Sequence, residues 1–144
     1  MKRRMFLAAA AALVVVAANH GAADAPKADR ADKGGKQAPY VHVVIFHLKK
    51  DAPKGAADGL IKDAHELLAK IPSVRSIRAG RPADKVTPDF GRKDYDVALL
   101  VLFDDYDGLK AYLDHPMHLK YVERNLKNID EKKLLVYDFS NQTK

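Results

Sequence analysis

The sequence contains no cysteine, no internal repeat and, within its first 23 residues, no acidic side chain. Without cysteine the chain forms no disulfide and has neither a thiol nucleophile nor a cysteine-ligated metal site. It also lacks a basic block interleaved with aromatic residues, which is the pattern typical of nucleic-acid binding. These absences exclude thiol chemistry and argue against a nucleic-acid partner.

The N-terminus has the pattern of a secretory signal peptide. A basic cluster at positions 2–4 precedes an apolar stretch at 6–18, which is too short for a typical membrane span. Small residues follow, so we expect a signal peptide over residues 1–23, cleaved after Ala18, Ala22 or Ala23, and export to the periplasm or the exterior. The run from Arg3 to Leu7 resembles the core of a twin-arginine signal, so both export routes stay open. A retained membrane anchor is the alternative.

The composition of the remaining chain predicts one soluble domain. Three of the 25 basic residues lie at positions 2–4, which leaves 22 against 19 acidic residues, a net charge of +3. Residues 24–38 have no large apolar side chain and are predicted to be a flexible linker. We therefore place the folded domain at 39–140 and a short tail at 141–144, with no membrane contact for the mature domain.

Hydrophobic periodicity predicts the order β-α-β-β-α-β, with the second helix broken in two. The strands are expected at 41–48, 74–79, 95–103 and 132–139, and the helices at 56–70, 105–113 and 116–127. This order is the ferredoxin-like α+β arrangement with a four-stranded antiparallel sheet. The inner faces of the last two helices are expected to carry Leu109, Tyr112, Leu113, Leu119, Val122 and Leu126.

Alternation along the strands predicts a sheet that is apolar on both faces. In the third strand Val97, Leu99, Val101 and Phe103 share one face, and the residues between them, on the other face, are also apolar. Helices can cover one face only, so the other needs a partner. The simplest partner is a second copy, which would enclose a barrel-like cavity.

The segment from Tyr112 to His118 combines a phenol with two imidazoles. A helix does not easily continue through the residue before a proline, so His115 is expected to cap a new helix that begins at Pro116. His118 then lies in the first turn, where the helix dipole disfavours its protonated form. Asp104, Asp105 and Asp107 are expected to cap and charge the start of the preceding helix rather than to form a calcium site.

Several segments together resemble one known family. They are 41–46 in the first strand, Ile71–Val74, Gly80, the 112–118 segment and the closing strand at 133–139. The chain is similar to the stress-responsive A/B barrel (Dabb) domain family of the dimeric α+β barrel superfamily. The resemblance implies a homodimer with one pocket in each subunit.

One plant member of that family is a polyketide cyclase, and its residues correspond to positions of this chain. Its catalytic tyrosine and histidine fall on Tyr112 and His118. A first-strand histidine falls on His42 and a last-strand acid on Asp138. Two of its pocket residues, a tyrosine and a histidine, fall on Ala64 and Val97, so the resemblance does not carry the cyclase activity or its substrate to this chain.

The candidate site has a catalytic interpretation, a structural one, and a third in which Tyr112 and His118 line a pocket without catalysis. His118 would act as a general base next to a carbonyl, Tyr112 would hold the carbonyl oxygen, and Asp138 or His42 would orient the imidazole. Alternatively, Tyr112 packs in the core and His118 bonds a backbone group. The expected apolar lining is Val44, Phe46, Leu99, Val101, Leu134 and Val136.

These features predict an exported, homodimeric domain that binds an apolar small molecule. The alternatives are a lyase or cyclase acting on carbonyl or polyketide-like compounds, a cofactor-free oxygenase, and a stress-protective dimer without chemistry. We expect no cofactor and no metal, because His115 and His118 lack a third obvious ligand. His47 and His65 are expected to face solvent.

Overall fold

Four antiparallel strands form one sheet in the computed structural model, which describes residues 40–85 and 88–142. The predicted signal peptide and linker lie outside the described residues. The sheet order is β2-β3-β1-β4, and the strands are β1 (Tyr40–Phe46), β2 (Ser76–Gly80), β3 (Val97–Phe103) and β4 (Leu135–Ser140). Every strand end lies within three residues of its predicted position. The largest difference is the start of β4, which follows a short 3-10 helix.

Three helices connect the strands, and they are α1 (Ala56–Glu66), α2 (Tyr106–Leu113) and α3 (Pro116–Asn125). Short 3-10 helices occupy residues at the ends of the predicted segments. The one at 68–70 follows α1, the one at 126–128 follows α3, and the one at 131–133 precedes β4. The order β1-α1-β2-β3-α2-α3-β4 confirms the ferredoxin-like α+β fold with a divided second helix. No helix in the described part of the chain is long and apolar enough to cross a membrane.

The strand register assigns each side chain to one of two faces. Val44 lies opposite Leu99 and Phe46 opposite Val97, and these four are buried beneath the helices. The other face, which we call the outer face, is apolar as predicted. It carries Val41, Val43, Ile45, Ala98, Leu100, Leu102, Leu135, Tyr137 and Phe139, together with β2 side chains that include Arg78.

The inner face predicted for α3 was wrong for its two leucines, whereas Val122 is partly buried against the core as predicted. Tyr121 and Asn125 are the buried residues of this helix, whereas Leu119 is 57% exposed and Leu126 is 37% exposed. A polar contact explains this orientation. The Asn125 amide donates to Asp63 on α1, which holds this side of α3 inward, and it also donates to the Tyr121 carbonyl of its own helix. Leu113, at the end of α2, is also exposed rather than buried.

Candidate functional site

The break between α2 and α3 is built by His115 and Pro116, as the sequence predicted. His115 is the N-cap of α3, and its Nδ1 accepts a hydrogen bond from the Met117 backbone N–H at 3.1 Å. Pro116 occupies the first helical position, where its missing N–H leaves no intrahelical bond unmade. This arrangement uses His115 as a cap and places His118 in the first turn, facing back toward α2.

Tyr112 lies at the centre of an aromatic cluster between the helices and the sheet. Its side chain is 1% exposed. The ring centroid lies 5.2 Å from Phe103, 6.0 Å from His42 and 4.6 Å from His118. The sequence-predicted pair Tyr112 and His118 is therefore in direct ring contact, with His42 on another side of the phenol.

The hydrogen bond of His118 determines which of its nitrogens carries the proton. Its Nδ1 lies 3.0 Å from the Leu113 carbonyl oxygen. Because a carbonyl oxygen only accepts, Nδ1 is the donor, and the neutral ring keeps its lone pair on Nε2. This is the tautomer that a general base requires when Nδ1 is used for positioning.

Burial keeps this imidazole in its neutral form. The pKa of His118 is lowered from 6.5, chiefly because desolvation disfavours the charged ring, while the Leu113 bond opposes the shift and the nearby His42 adds to it. The dipole of α3 acts in the same direction. Burial also raises the pKa of the Tyr112 phenol, so its hydroxyl stays protonated and can donate a hydrogen bond.

His42 is fixed by a carboxylate rather than by a carbonyl. Its Nδ1 lies 2.6 Å from Oδ1 of Asp138, its partner across β1 and β4. Of the two residues suggested to orient His118, Asp138 therefore orients His42, while the Leu113 carbonyl positions His118. The result is a continuous series of contacts, Asp138–His42–Tyr112–His118, that brings four predicted site residues together.

The apolar residues predicted to line the pocket fall into two groups. Val44, Phe46, Leu99 and Val101 are buried in the core, and Leu134 is partly buried against it. Val136, in contrast, is 49% exposed although the register places it on the helix side of β4. The helix side of β4, which carries both Val136 and Asp138, is therefore the accessible side of the cluster.

Tyr121 belongs to the same buried cluster as Tyr112 and was not identified from sequence. The Tyr121 hydroxyl is fully enclosed on the inner face of α3, three residues after His118. His47 was expected to face solvent, but its ring nitrogens lie 2.9 Å and 2.7 Å from the carbonyl oxygens of Lys133 and Asp94, so it ties together the segments around β1. The three-residue spacing from His118 was the available signal for Tyr121.

A separate groove lies on the outer face and does not contain the cluster. It has a volume of about 340 Å³ and is lined by Val43, Arg78, Arg81, Ala98 and Leu100 with their neighbours. Within residues 40–85 and 88–142, no three side chains of His, Cys, Asp or Glu gather as metal ligands. Asp105 instead caps α2 by accepting from the Gly108 N–H at 2.8 Å, as expected.

Comparison with known proteins agrees with this fold. A model of the family described as Stress responsive A/B Barrel Domain matches residues 41–141. A stress-response A/B barrel domain-containing protein of Arabidopsis thaliana is 28% identical over 100 residues, covering 69% of this chain and 84% of the relative.

Two solved bacterial structures are similar at 25% identity. One, from Bacteroides fragilis, is described as dimeric with a ferredoxin-like fold; it matches with a TM-score of 0.55 over 73% of this chain and 98% of its own. The other, a Dabb family protein from Mesorhizobium loti, matches with a TM-score of 0.58 over 74% of this chain and 100% of its own.

Two enzymes share the fold at lower identity. A hydroxynitrile lyase from Passiflora edulis is 16% identical with a TM-score of 0.59, over 75% of this chain and 98% of its own. A cofactor-independent oxygenase from Streptomyces nogalater is 13% identical with a TM-score of 0.55, over 75% of this chain and 97% of its own. These similarities concern the fold alone.

Proposed function

The chain belongs to the stress-responsive A/B barrel (Dabb) domain family, and on that premise we propose that its domain is a homodimer that binds an apolar carbonyl compound at Tyr112 and His118. The observation that carries the proposal is the contact between a buried, protonated phenol and a neutral imidazole at 4.6 Å. The phenol supplies a hydrogen-bond donor for an oxygen, and the surrounding core supplies apolar contact.

The outer face supports the homodimer. Leu135, Tyr137 and Phe139 of β4 project from it and are each about half exposed. Exposed apolar surfaces of this kind commonly mark interfaces between proteins. The Bacteroides relative is described as dimeric, and a second copy with the same face is the self-complementary partner that closes such an interface.

The accessible side of β4 supports ligand binding. Val136 and the Asp138 carboxylate are the partly exposed residues on the helix side, and Asp138 is bonded to His42 beside Tyr112. A ligand that approaches over Val136 would displace neighbouring side chains to reach Tyr112, which is 1% exposed. Its apolar part would cover Val136, and its carbonyl would meet the phenol.

Calorimetric titration with a matched pair of ligands tests this proposal. Acetophenone carries the carbonyl, and ethylbenzene has a methylene in its place. We expect acetophenone to bind more tightly, and we expect Tyr112→Phe to remove this preference while ethylbenzene affinity stays the same, because the substitution deletes only the donor. Tyr106→Phe, which changes an exposed phenol, is the control. Equal affinities of the unaltered protein for both ligands would contradict the proposal.

A second candidate function is cofactor-free acid–base catalysis. It is favoured by the tautomer of His118, whose Nε2 is unprotonated while Tyr112 remains a donor. In such a reaction Nε2 takes a proton from the carbon next to the carbonyl, and the C–H electron pair moves to form an enolate. The Tyr112 hydroxyl stabilises the oxygen that gains the charge. The related lyase and oxygenase show that this fold accommodates enzymes.

Hydrogen exchange distinguishes binding from catalysis. In D₂O, proton abstraction by His118 would place deuterium in the methyl group of acetophenone, which NMR detects. The catalytic candidate predicts exchange above the buffer rate that is abolished by His118→Ala. Exchange at the buffer rate, with acetophenone bound, would exclude this candidate and leave the binding function intact.

Export completes the proposal. The basic cluster at 2–4 and the apolar segment at 6–18 support a cleaved signal peptide. Expression of the full chain in its native host, followed by fractionation and N-terminal sequencing, should find the mature protein outside the cytoplasm with a new N-terminus near residue 24. A cytoplasmic protein that retains Met1 would contradict export.

A further inference from the structure

The proposed binding at Tyr112 and His118 gives no role to the buried phenol of Tyr121. This residue is 4% exposed, and its hydroxyl oxygen is enclosed with no hydrogen-bond partner in the described part of the chain. Leaving a buried hydroxyl unpaired costs free energy, so native proteins seldom keep one without a reason. Phenylalanine would fill the same volume without this cost.

The position of Tyr121 relates it to the candidate site. It follows His118 by three residues on α3, so both side chains project from one side of the helix. Tyr121 and Tyr112 also belong to the same buried cluster between helices and sheet. Burial is the main cause that raises the pKa of Tyr121, and the charge of Tyr112 adds to it.

The charged neighbour of Tyr121 is already engaged elsewhere. Asp63 on α1 accepts hydrogen bonds from Arg124 and from the Asn125 amide, each at 3.1 Å. Burial and the charge of Asp63 both raise the pKa of Tyr121, so its hydroxyl remains a donor. Tyr121 is therefore a second protonated phenol, on the same side of α3 as His118, that has no acceptor within the described residues.

We propose that Tyr121 is a specificity-determining residue that donates a hydrogen bond to a second oxygen of the ligand. The inference rests on the proposed function, since Tyr112 would hold the first oxygen. It defines the ligand class as compounds with two acceptor oxygens, such as dicarbonyls, in preference to single ketones. A site built on hydrogen bonds rejects the analogue that lacks the partner, because a buried donor is then left unpaired.

Ligands with one and two carbonyls test the role of Tyr121. The single ketone is acetophenone, and the dicarbonyls are 1-phenyl-1,3-butanedione and 1-phenyl-1,4-pentanedione. We expect the unaltered protein to bind at least one of the two dicarbonyls about tenfold more tightly than acetophenone. Tyr121→Phe should remove this preference and leave the affinity for acetophenone unchanged. Tyr112→Phe, in contrast, should lower the affinity for acetophenone.

Stability without ligand provides a second, independent measurement. Because Tyr121→Phe deletes an unpaired buried hydroxyl, its urea midpoint should equal or exceed that of the unaltered protein. A lower midpoint together with an unchanged dicarbonyl preference would show a structural role and overturn the inference. Equal affinity of the unaltered protein for all three carbonyl ligands would overturn it too. If acetophenone itself failed to bind better than ethylbenzene, the proposed function would fail first, so the two failures are distinguishable.

Discussion

At the scale of single residues, Tyr112 lies between two imidazoles that are held in different ways. His118 donates to a neutral backbone carbonyl, whereas His42 is paired with the Asp138 carboxylate. The 112–118 segment located Tyr112 and His118, and the family resemblance added His42 and Asp138, but neither revealed which acceptor fixes which ring. Such pairing depends on the register of β4 against β1 and on the bend at His115, neither of which periodicity determines.

The lowered pKa of His118 makes stability depend on pH in a defined direction. The unfolded chain binds a proton near pH 6.5, while the folded chain binds it at lower pH. The stabilising contribution is therefore complete above pH 6.5 and is lost as the pH falls from there through the pKa of the folded state. Urea unfolding at a series of pH values should show this loss, and His118→Gln should flatten it. An NMR titration placing the His118 pKa above 6.5 would contradict the account.

The bond between His42 and Asp138 should contribute measurably to stability. Asp138→Ala leaves the nearly buried Nδ1 of His42 without its acceptor, and we expect a loss of about 1–2 kcal/mol in the free energy of unfolding. Asp94→Ala is the control, since both Asp94 and its partner Arg92 are exposed, and its loss should be smaller. Equal losses in urea denaturation would show that burial of His42 does not matter.

At the scale of elements, the break between α2 and α3 is a structural device that positions His118. His115→Ala removes the acceptor for the Met117 N–H, and we expect a loss of about 1 kcal/mol in the free energy of unfolding. His115→Asn keeps a capping oxygen and should retain most of that stability. If the alanine and asparagine variants unfold at the same urea concentration, the cap contributes nothing.

The start of α1 depends on one glycine, and a nearby glycine offers a matched comparison. Gly55 has a φ of +88°, whereas Gly59 lies inside the helix, and an added Cβ would contact nothing at either position. Gly55→Ala should therefore destabilise the protein by about 1–2 kcal/mol through its backbone alone. Gly59→Ala should stabilise it by about 0.5–1 kcal/mol. Thermal unfolding of both variants tests the opposite signs.

The strands were predicted more accurately than the face of α3. Alternation identifies both faces of β3 because every side chain there is apolar and the period is two. In α3 the leucines suggested the inner face, but Asn125 and Arg124 bond to Asp63 on α1 and turn another side inward. Periodicity counts apolar residues and therefore misses a helix that is oriented by polar contacts. Tyr121 was missed for the same reason.

At the scale of the whole molecule, the exposed apolar outer face is the feature that favours the proposed assembly with a second copy. We expect the protein to sediment as a dimer and Tyr137→Glu to sediment as a monomer, because the interface would otherwise bury an unpaired charge. Tyr137 is half exposed in the single chain, so the substitution should not disturb folding. Leu119→Glu, on the exposed side of α3, should remain dimeric. A monomeric unaltered protein would contradict the proposed assembly.

The central claim is that a carbonyl ligand binds at Tyr112 rather than elsewhere on the molecule. A crystal structure of the protein with acetophenone tests it most directly. We expect the carbonyl oxygen to lie within hydrogen-bond distance of the Tyr112 hydroxyl and the methyl group to point toward His118. Acetophenone found instead in the outer-face groove beside Arg78, with the Tyr112 site empty, would contradict it.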